Sequence, residues 1–288
     1  MDIYNKINPI LFDVSLRDGI QNAKIEDYST ENKKYIFDTI VNKYHPRKIE
    51  VGSLTSPKIL PIMGDSLTMY NYAITNNNQT DIFLLIPSIS KLDTALQNNV
   101  NNMSFITSVS DKFQIRNTKK SIEDTKKDFE NIFKTLSYQP FRVFNTKLYI
   151  SCINTCPIIG KIDNDFIVKE IIYYHQKYPF DELCLSDTMG NLQYDDIEYI
   201  LSSSLFFGVP ASKFSFHFHY SKDNLENLER IFFYLFRNKI NKFDVSMTDS
   251  GGCSVTMKSE NLRPNLSYDM FFSILEKFVG REIRLSEP

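Results

Sequence analysis

The sequence predicts an α/β protein folded as a (β/α)8 TIM barrel, and three observations carry that prediction. Short β-rich runs alternate with amphipathic stretches, which is the pattern of an α/β fold. Eight such units fit within 288 residues, and roughly 250 residues is typical of one such barrel. No Pro/Ser/Gly-rich linker divides the chain and no solenoid-type repeat runs through it. Residues 1–288 therefore read as a single catalytic domain, with the barrel over about 10–280. The competing architecture is an open doubly wound sheet, which usually needs fewer units.

Taken in order, the expected strands are Ile10–Val14, Lys48–Val51, Asp81–Ile86, Met103–Ser108, Lys147–Cys152, Glu182–Ser186, Lys213–His219 and Lys242–Val245. After the first, Ser29 or Thr30 can cap a helix whose Ile36, Phe37, Ile40, Val41 and Tyr44 share one face. After the fourth, Ser121 precedes a helix with Ile122, Phe129, Ile132, Phe133 and Leu136 at helical spacing. Lys126, Lys127 and Glu130 occupy its other face and read as a solvated surface. Leu225, Leu228, Ile231, Phe232 and Leu235 repeat the pattern after the seventh strand. Ser267 opens a last helix through Phe271, Ile274, Leu275 and Phe278.

Composition narrows the function. A hydrophobic content of 42% supports a sizeable core and argues against wholesale disorder. A net charge of −2 with no basic block argues against a nucleic-acid surface. No apolar run approaches the roughly 18 residues of a membrane span. The start, Met1 to Pro9, resembles neither a secretory signal nor a transit peptide, so a cytoplasmic, reducing setting is expected. Cys152, Cys156, Cys184 and Cys253 then read as thiols rather than a disulfide framework. Cys152 and Cys156 lack the second pair that a structural zinc site needs.

In barrels of this kind the active site lies where strands end and the following loops begin. Arg17-Asp18-Gly19 ends the first strand and Glu50 the second. Ser186-Asp187-Thr188 ends the sixth, His217-Phe218-His219 the seventh, and the eighth leads into Asp249-Ser250-Gly251-Gly252-Cys253. Strand residues i and i+2 project to one face, so the two imidazoles would point together toward the barrel axis. Burying both without partners is costly. A shared metal ion satisfies both, with Asp18 adding charge from the first strand, which a closed barrel brings close. The alternative is a pair of histidines hydrogen-bonded to backbone. Arg17 and Asp18 can equally form a structural ion pair, Glu50 can orient a neighbour or merely end its strand, and Asp187-Thr188 can cap the next helix. Cys253, in a glycine loop over such a site, reads as a proton donor or as an inert thiol.

Several blocks together resemble the 3-hydroxy-3-methylglutaryl-CoA lyase family. They are Phe12–Asn22 (FDVSLRDGIQN), Ile49–Lys58 (IEVGSLTSPK) followed by Pro61 and Met63-Gly64-Asp65, and Tyr149–Pro157 (YISCINTCP) with Gly160-Lys161-Ile162. Leu185–Gly190 (LSDTMG), His217-Phe218-His219 and Gly251-Gly252-Cys253 complete the set in the same order, from Phe12 to about Gly280. The resemblance implies a divalent-metal-dependent carbon–carbon lyase acting on a small-molecule acyl-CoA. Asp18, His217, His219 and an asparagine would be ligands to Mg²⁺ or Mn²⁺. That asparagine is Asn265, counted back from the last helix, or Asn261, which lies closer to the family's spacing from the cysteine. Arg17, Gln21, Glu50 and Asp187 match positions near the substrate, and Cys253 matches the family's loop cysteine.

The implied reaction is a retro-Claisen cleavage of 3-hydroxy-3-methylglutaryl-CoA to acetoacetate and acetyl-CoA. The metal would chelate the tertiary hydroxyl and free carboxylate, and His217 or a neighbouring carboxylate would take the proton. Arg17 would stabilise the enolate, and Cys253 would protonate it. The resemblance also implies a possible homodimer. Departures cluster around the cysteine loop: Tyr220 stands where the family usually has Asp, Asp249 replaces a glycine, and Ser254-Val255 replaces Pro-Tyr. They leave two other readings open, a related aldolase or lyase on another hydroxy acid, and a barrel that binds metal or ligand without catalysis.

Overall fold

A computed structural model of the chain describes residues 7–220, 222–248, 250–251 and 262–286. Eight parallel strands close into a barrel: β1 (Ile10–Asp13), β2 (Lys48–Ser53), β3 (Asp81–Leu85), β4 (Asn102–Ser108), β5 (Asn145–Ser151), β6 (Glu182–Asp187), β7 (Phe214–Phe218) and β8 (Lys242–Val245). Each strand pairs with its sequence neighbours. β1 closes the ring on β8, with Ile10 opposite Lys242 and Asp13 opposite Val245. β1 in turn pairs with β2, Phe12 facing Lys48. All eight expected strands are present, so the closed barrel replaces the open sheet.

The connecting α-helices are α1 (Thr30–Tyr44), α2 (Ser66–Asn76), α3 (Leu92–Gln97), α4 (Asp111–Thr118), α5 (Ile122–Ser137), α6 (Asn164–Lys177), α7 (Tyr194–Phe206), α8 (Leu225–Arg237) and α9 (Tyr268–Ser286). Hydroxyl caps start three of them as expected. Ser29 Oγ accepts from the Asn32 amide, Ser121 Oγ from Asp124 and Ser267 Oγ from Met270. Two features differ from expectation. The fourth connection holds α4 in addition to α5, and α4 has its own cap, Ser110 accepting from the Phe113 amide. Lys126 is buried, not solvated: its ammonium reaches Glu170 at 3.1 Å and lies 4.3 Å from the Tyr173 ring centre, because α6 packs over that edge of α5. Lys127 and Glu130 are exposed.

Strand alternation sorts the core into two layers. Outward residues such as Ile49, Leu84, Phe105, Leu148, Leu185, Phe216 and Phe243 join one large apolar layer with the helices. The barrel interior holds small apolar clusters, Phe12, Val14 and Phe83 in one and Leu85, Tyr149 and Cys184 in another. The rest of the interior is polar. Lys147 is fully buried, with its ammonium on Asp244 and 3.3 Å from Glu182, and Glu182 also meets Lys48 at 3.0 Å. Burial alone would raise the Glu182 pKa, but Lys147, Lys48 and Lys242 override it and hold the carboxylate at about 2. Charges in a barrel interior are tolerated only when paired in this way.

β7 ends one residue before His219, short of the expected boundary. The chain after the cysteine loop intrudes there: Leu266 N–H donates to Phe218 O at 3.0 Å, Tyr220 N–H donates to Pro264 O at 3.1 Å, and His219 bridges Asn265. This exchange of partners carries Asn265 to the mouth of the barrel. Among the described residues no helix is long and apolar enough to cross a membrane. Cys152, Cys156 and Cys184 are buried free thiols.

Candidate metal centre and pocket

The turn after β1 brings Asp18 over the barrel axis, and Gly19 makes that turn possible. A β-carbon at Gly19 would lie 2.3 Å from Thr248 Oγ1 and 2.6 Å from Ser15 O, so only glycine lets this loop press against the one after β8. On β7, Phe214, Phe216 and Phe218 anchor the outer face in the apolar layer, which turns His217 inward, and His219 follows one alternation later.

Three buried side chains converge. His217 Nε2 and His219 Nε2 are 3.2 Å apart, and Asp18 Oδ2 lies 3.8 and 4.0 Å from them. Each imidazole has an acceptor behind it, Asp244 Oδ2 on His217 Nδ1 at 3.1 Å and Arg263 O on His219 Nδ1 at 3.1 Å. Acceptors at both Nδ1 atoms favour a proton there, and both Nε2 atoms turn toward Asp18, within hydrogen-bond distance of each other. Burial, and then the neighbouring His217, push the His219 pKa down to about 4, so that ring is neutral at pH 7. Burial would raise Asp18, but Arg17 foremost and then the two imidazoles hold it at about 2.

This donor set fits a hard divalent cation. Two imidazoles and one carboxylate offer donor atoms all within 4.8 Å of one another, the group of this kind found among the described residues. The Nε2 spacing is close to the roughly 3 Å between neighbouring ligands of an octahedral ion with bonds of ~2.1 Å. Asn265 supplies independent support. It is 2% exposed, its amide contacts Asp18, its Nδ2 donates to Ser250 O at 3.1 Å, and its Oδ1 has no hydrogen-bond partner. A buried carbonyl oxygen left over in this way is a donor awaiting a ligand. A β-carbon on Gly251 would lie 2.7 Å from Asn265 Nδ2, so that glycine lets the β8 loop lie on the asparagine.

Arg17 forms the second part of the site. Its Nη1 donates to Asp18 Oδ1 at 2.6 Å, its Nε donates to Glu50 Oε2, and its guanidinium sits 4.9 Å from the Tyr149 ring centre. Glu50 is fully buried and also accepts from Ser104 Oγ and, at 3.4 Å, from Tyr149 OH. Gln21 Nε2 donates to Asp18 Oδ1 at 2.9 Å. Asp187 stands apart. Its carboxylate accepts from the Asn191 and Leu192 amides at 3.2 and 2.9 Å, and burial outweighs those donors to raise its pKa to about 6. It shapes the turn through Gly190, which has φ +65° and whose β-carbon would lie 2.9 Å from His219 O. The neighbours Ser186 and Thr188, rather than Asp187, line the pocket.

That pocket, about 350 Å³, has Arg17, Asp18, His217 and His219 in its lining, with Leu60, Leu85, Ile106 and Phe113 as apolar wall. Lys91, Lys119 and Lys120 also line it. Asp249, Asn261 and Cys253 lie outside the described residues. Sequence reasoning passed over Asp244, Lys147, Ser104 and Tyr149. The available signal was a charge inside an otherwise apolar strand, as in KFDV for Asp244 and TKLYI for Lys147, at positions the alternation turns inward.

Comparison with known proteins gives consistent results. A family model described as HMGL-like matches residues 8–223. A Pseudomonas aeruginosa protein named 3-hydroxy-3-isohexenylglutaryl-CoA/hydroxy-methylglutaryl-CoA lyase is 28% identical over 250 residues, 84% of this chain and 77% of that one. The cytoplasmic 3-hydroxy-3-methylglutaryl-CoA lyase of Danio rerio is 26% identical over 253 residues, 88% and 71% of the two chains. The crystal structure of a hydroxymethylglutaryl-CoA lyase from Pseudomonas aeruginosa superposes with a TM-score of 0.79 at 23% identity, covering 94% of this chain and 86% of that one.

Proposed function

The chain belongs to the HMGL-like family, and from that premise we propose that it is a divalent-metal-dependent carbon–carbon lyase cleaving 3-hydroxy-3-methylglutaryl-CoA to acetoacetate and acetyl-CoA. The convergence of Asp18, His217 and His219 at the barrel mouth carries this reading. Asn265, with its unpaired Oδ1, completes the ligand set in preference to Asn261. A mixed nitrogen and oxygen donor set without thiolate favours Mg²⁺ or Mn²⁺ over structural zinc. When bound, such an ion supplies a Lewis acid that makes a coordinated hydroxyl more acidic.

The protein's own groups do the remaining work. With Nδ1 on Asp244 and Nε2 turned to the metal position, His217 would serve as a ligand, and a neighbouring carboxylate would take the proton of the substrate hydroxyl. Arg17, locked between Glu50 and Asp18, presents its remaining N–H groups where an enolate oxygen gathers charge, and it needs no rearrangement to do so. Glu50 thus holds the arginine, and Gln21 steadies Asp18. Asp187 keeps the β6 loop against the His219 backbone. Cys253 is assigned as the proton donor to the enolate carbon, by its match to the family's loop cysteine. The apolar wall suits an acyl-thioester arm, and the lining lysines suit an anionic carrier.

Purified protein incubated with 3-hydroxy-3-methylglutaryl-CoA should release acetyl-CoA when Mg²⁺ or Mn²⁺ is present. Treatment with EDTA should stop the release, and added metal should restore it. Absence of product with either metal contradicts the assignment.

A further inference from the structure

The polar column inside the barrel does more than fill space. Asp244 faces two ways, one oxygen accepting from His217 Nδ1 at 3.1 Å while the other holds the Lys147 ammonium. Lys147 is fully buried, 3.7 Å from the Phe12 ring centre and 3.3 Å from Glu182. Cys184 Sγ lies 3.8 Å from the Asp244 oxygen that meets His217. The Tyr149 ring stands edge-on to the imidazole, 5.9 Å between centres, and closes the pocket around it.

We propose that Asp244 and Lys147 are a pair of positioning residues that set the tautomer of His217. Lys147 pins Asp244 Oδ1, which aims Oδ2 at Nδ1, keeps the ring proton there and leaves Nε2 as a lone pair turned to Asp18. Neither residue touches the reacting atoms. The inference rests on the lyase reading for its purpose, but its hydrogen-bond content stands by itself. Outer partners of this kind typically change metal affinity about 10–100-fold when removed.

The pairing makes an unusual forecast for mutants. In Asp244→Asn, Lys147 still demands an oxygen, so the amide must turn its NH₂ toward His217. Nδ1 is then forced to accept, the proton moves to Nε2, and the lone pair that a metal needs is gone. Removing the lysine as well, in Asp244→Asn/Lys147→Met, frees the amide to turn its oxygen back to Nδ1–H. The second substitution should therefore repair what the first breaks. A purely structural role for these residues gives the opposite order, with the double variant worse than the single.

The test uses protein with ¹⁵N-labelled histidine, stripped of metal, and long-range ¹⁵N–¹H spectra in neutral to alkaline buffer. With four histidines in the chain, assignment by single substitution is direct. Wild type should show His217 protonated at Nδ1, Asp244→Asn at Nε2, and the double variant at Nδ1 again. Mn²⁺ affinity should fall about 10–100-fold in the single variant and recover in part in the double. A wild-type spectrum with Nδ1 unprotonated overturns the proposal even if neither variant folds. So does a double variant that binds Mn²⁺ more weakly than the single one. If wild type binds no Mn²⁺ at all, the lyase reading fails, while the tautomer spectra still decide the hydrogen-bond proposal.

Discussion

Replacing His217 with alanine is expected to reduce acyl-CoA cleavage to the level of metal-free protein. The substitution removes one of two imidazole donors from a centre whose ligand atoms lie within 4.8 Å of one another. Loss of a direct ligand should exceed the ~10–100-fold in metal affinity that outer-shell partners typically contribute. It also leaves Asp244 Oδ2 without its histidine donor, a defect that costs about 1–3 kcal/mol in a buried setting. The chain should therefore still fold, with a lowered thermal midpoint. Isothermal titration with Mn²⁺ and an acetyl-CoA release assay on the same preparation separate the two effects. Activity that survives with wild-type metal affinity would remove His217 from the centre.

Replacing Arg17 with glutamine should have a comparable effect through two separable causes. The guanidinium is the only cation described beside Glu50, whose side chain is fully buried. Breaking a buried ion pair from one side costs about 3–5 kcal/mol. Loss of a donor to a developing oxyanion lowers kcat about 10²–10³-fold. The double variant Arg17→Gln/Glu50→Gln restores the charge balance, so it should regain most of the stability and none of the rate. Thermal denaturation and steady-state kinetics on both variants resolve this. Recovery of rate together with stability would reduce Arg17 to a structural cation. Loss of Arg17 also removes the foremost influence holding Asp18 near 2. Its pKa therefore rises, and metal binding should become weaker at mildly acidic pH than in wild type.

The barrel was legible because the outer apolar layer is written as alternation within each strand. Phe214, Phe216 and Phe218 point out, and that same register turns His217 inward. The end of β7 was not legible, because it depends on Asn265 and Leu266 arriving from a distant segment to take over hydrogen bonds of Phe218 and His219. Lys126 was misread as solvated because periodicity within α5 says nothing about where α6 packs. In the site, Asp18, His217 and His219 were visible as chemistry-bearing residues at strand ends. Their supports were not: Asp244 and Lys147 sit in the middle of strands, where a charge reads as an exception until its partner across the barrel is known. Asn265 carries an orphaned buried oxygen, which no spacing argument reveals, while Asn261 lies outside the described residues.

Diffraction from crystals soaked in MnCl₂ would test the metal centre most directly, through anomalous scattering at the manganese edge. One peak should appear in the barrel mouth, bonded to Asp18 Oδ2, His217 Nε2, His219 Nε2 and Asn265 Oδ1. A peak elsewhere, or none under conditions where the protein turns over substrate, would contradict the assignment of these residues as the catalytic centre.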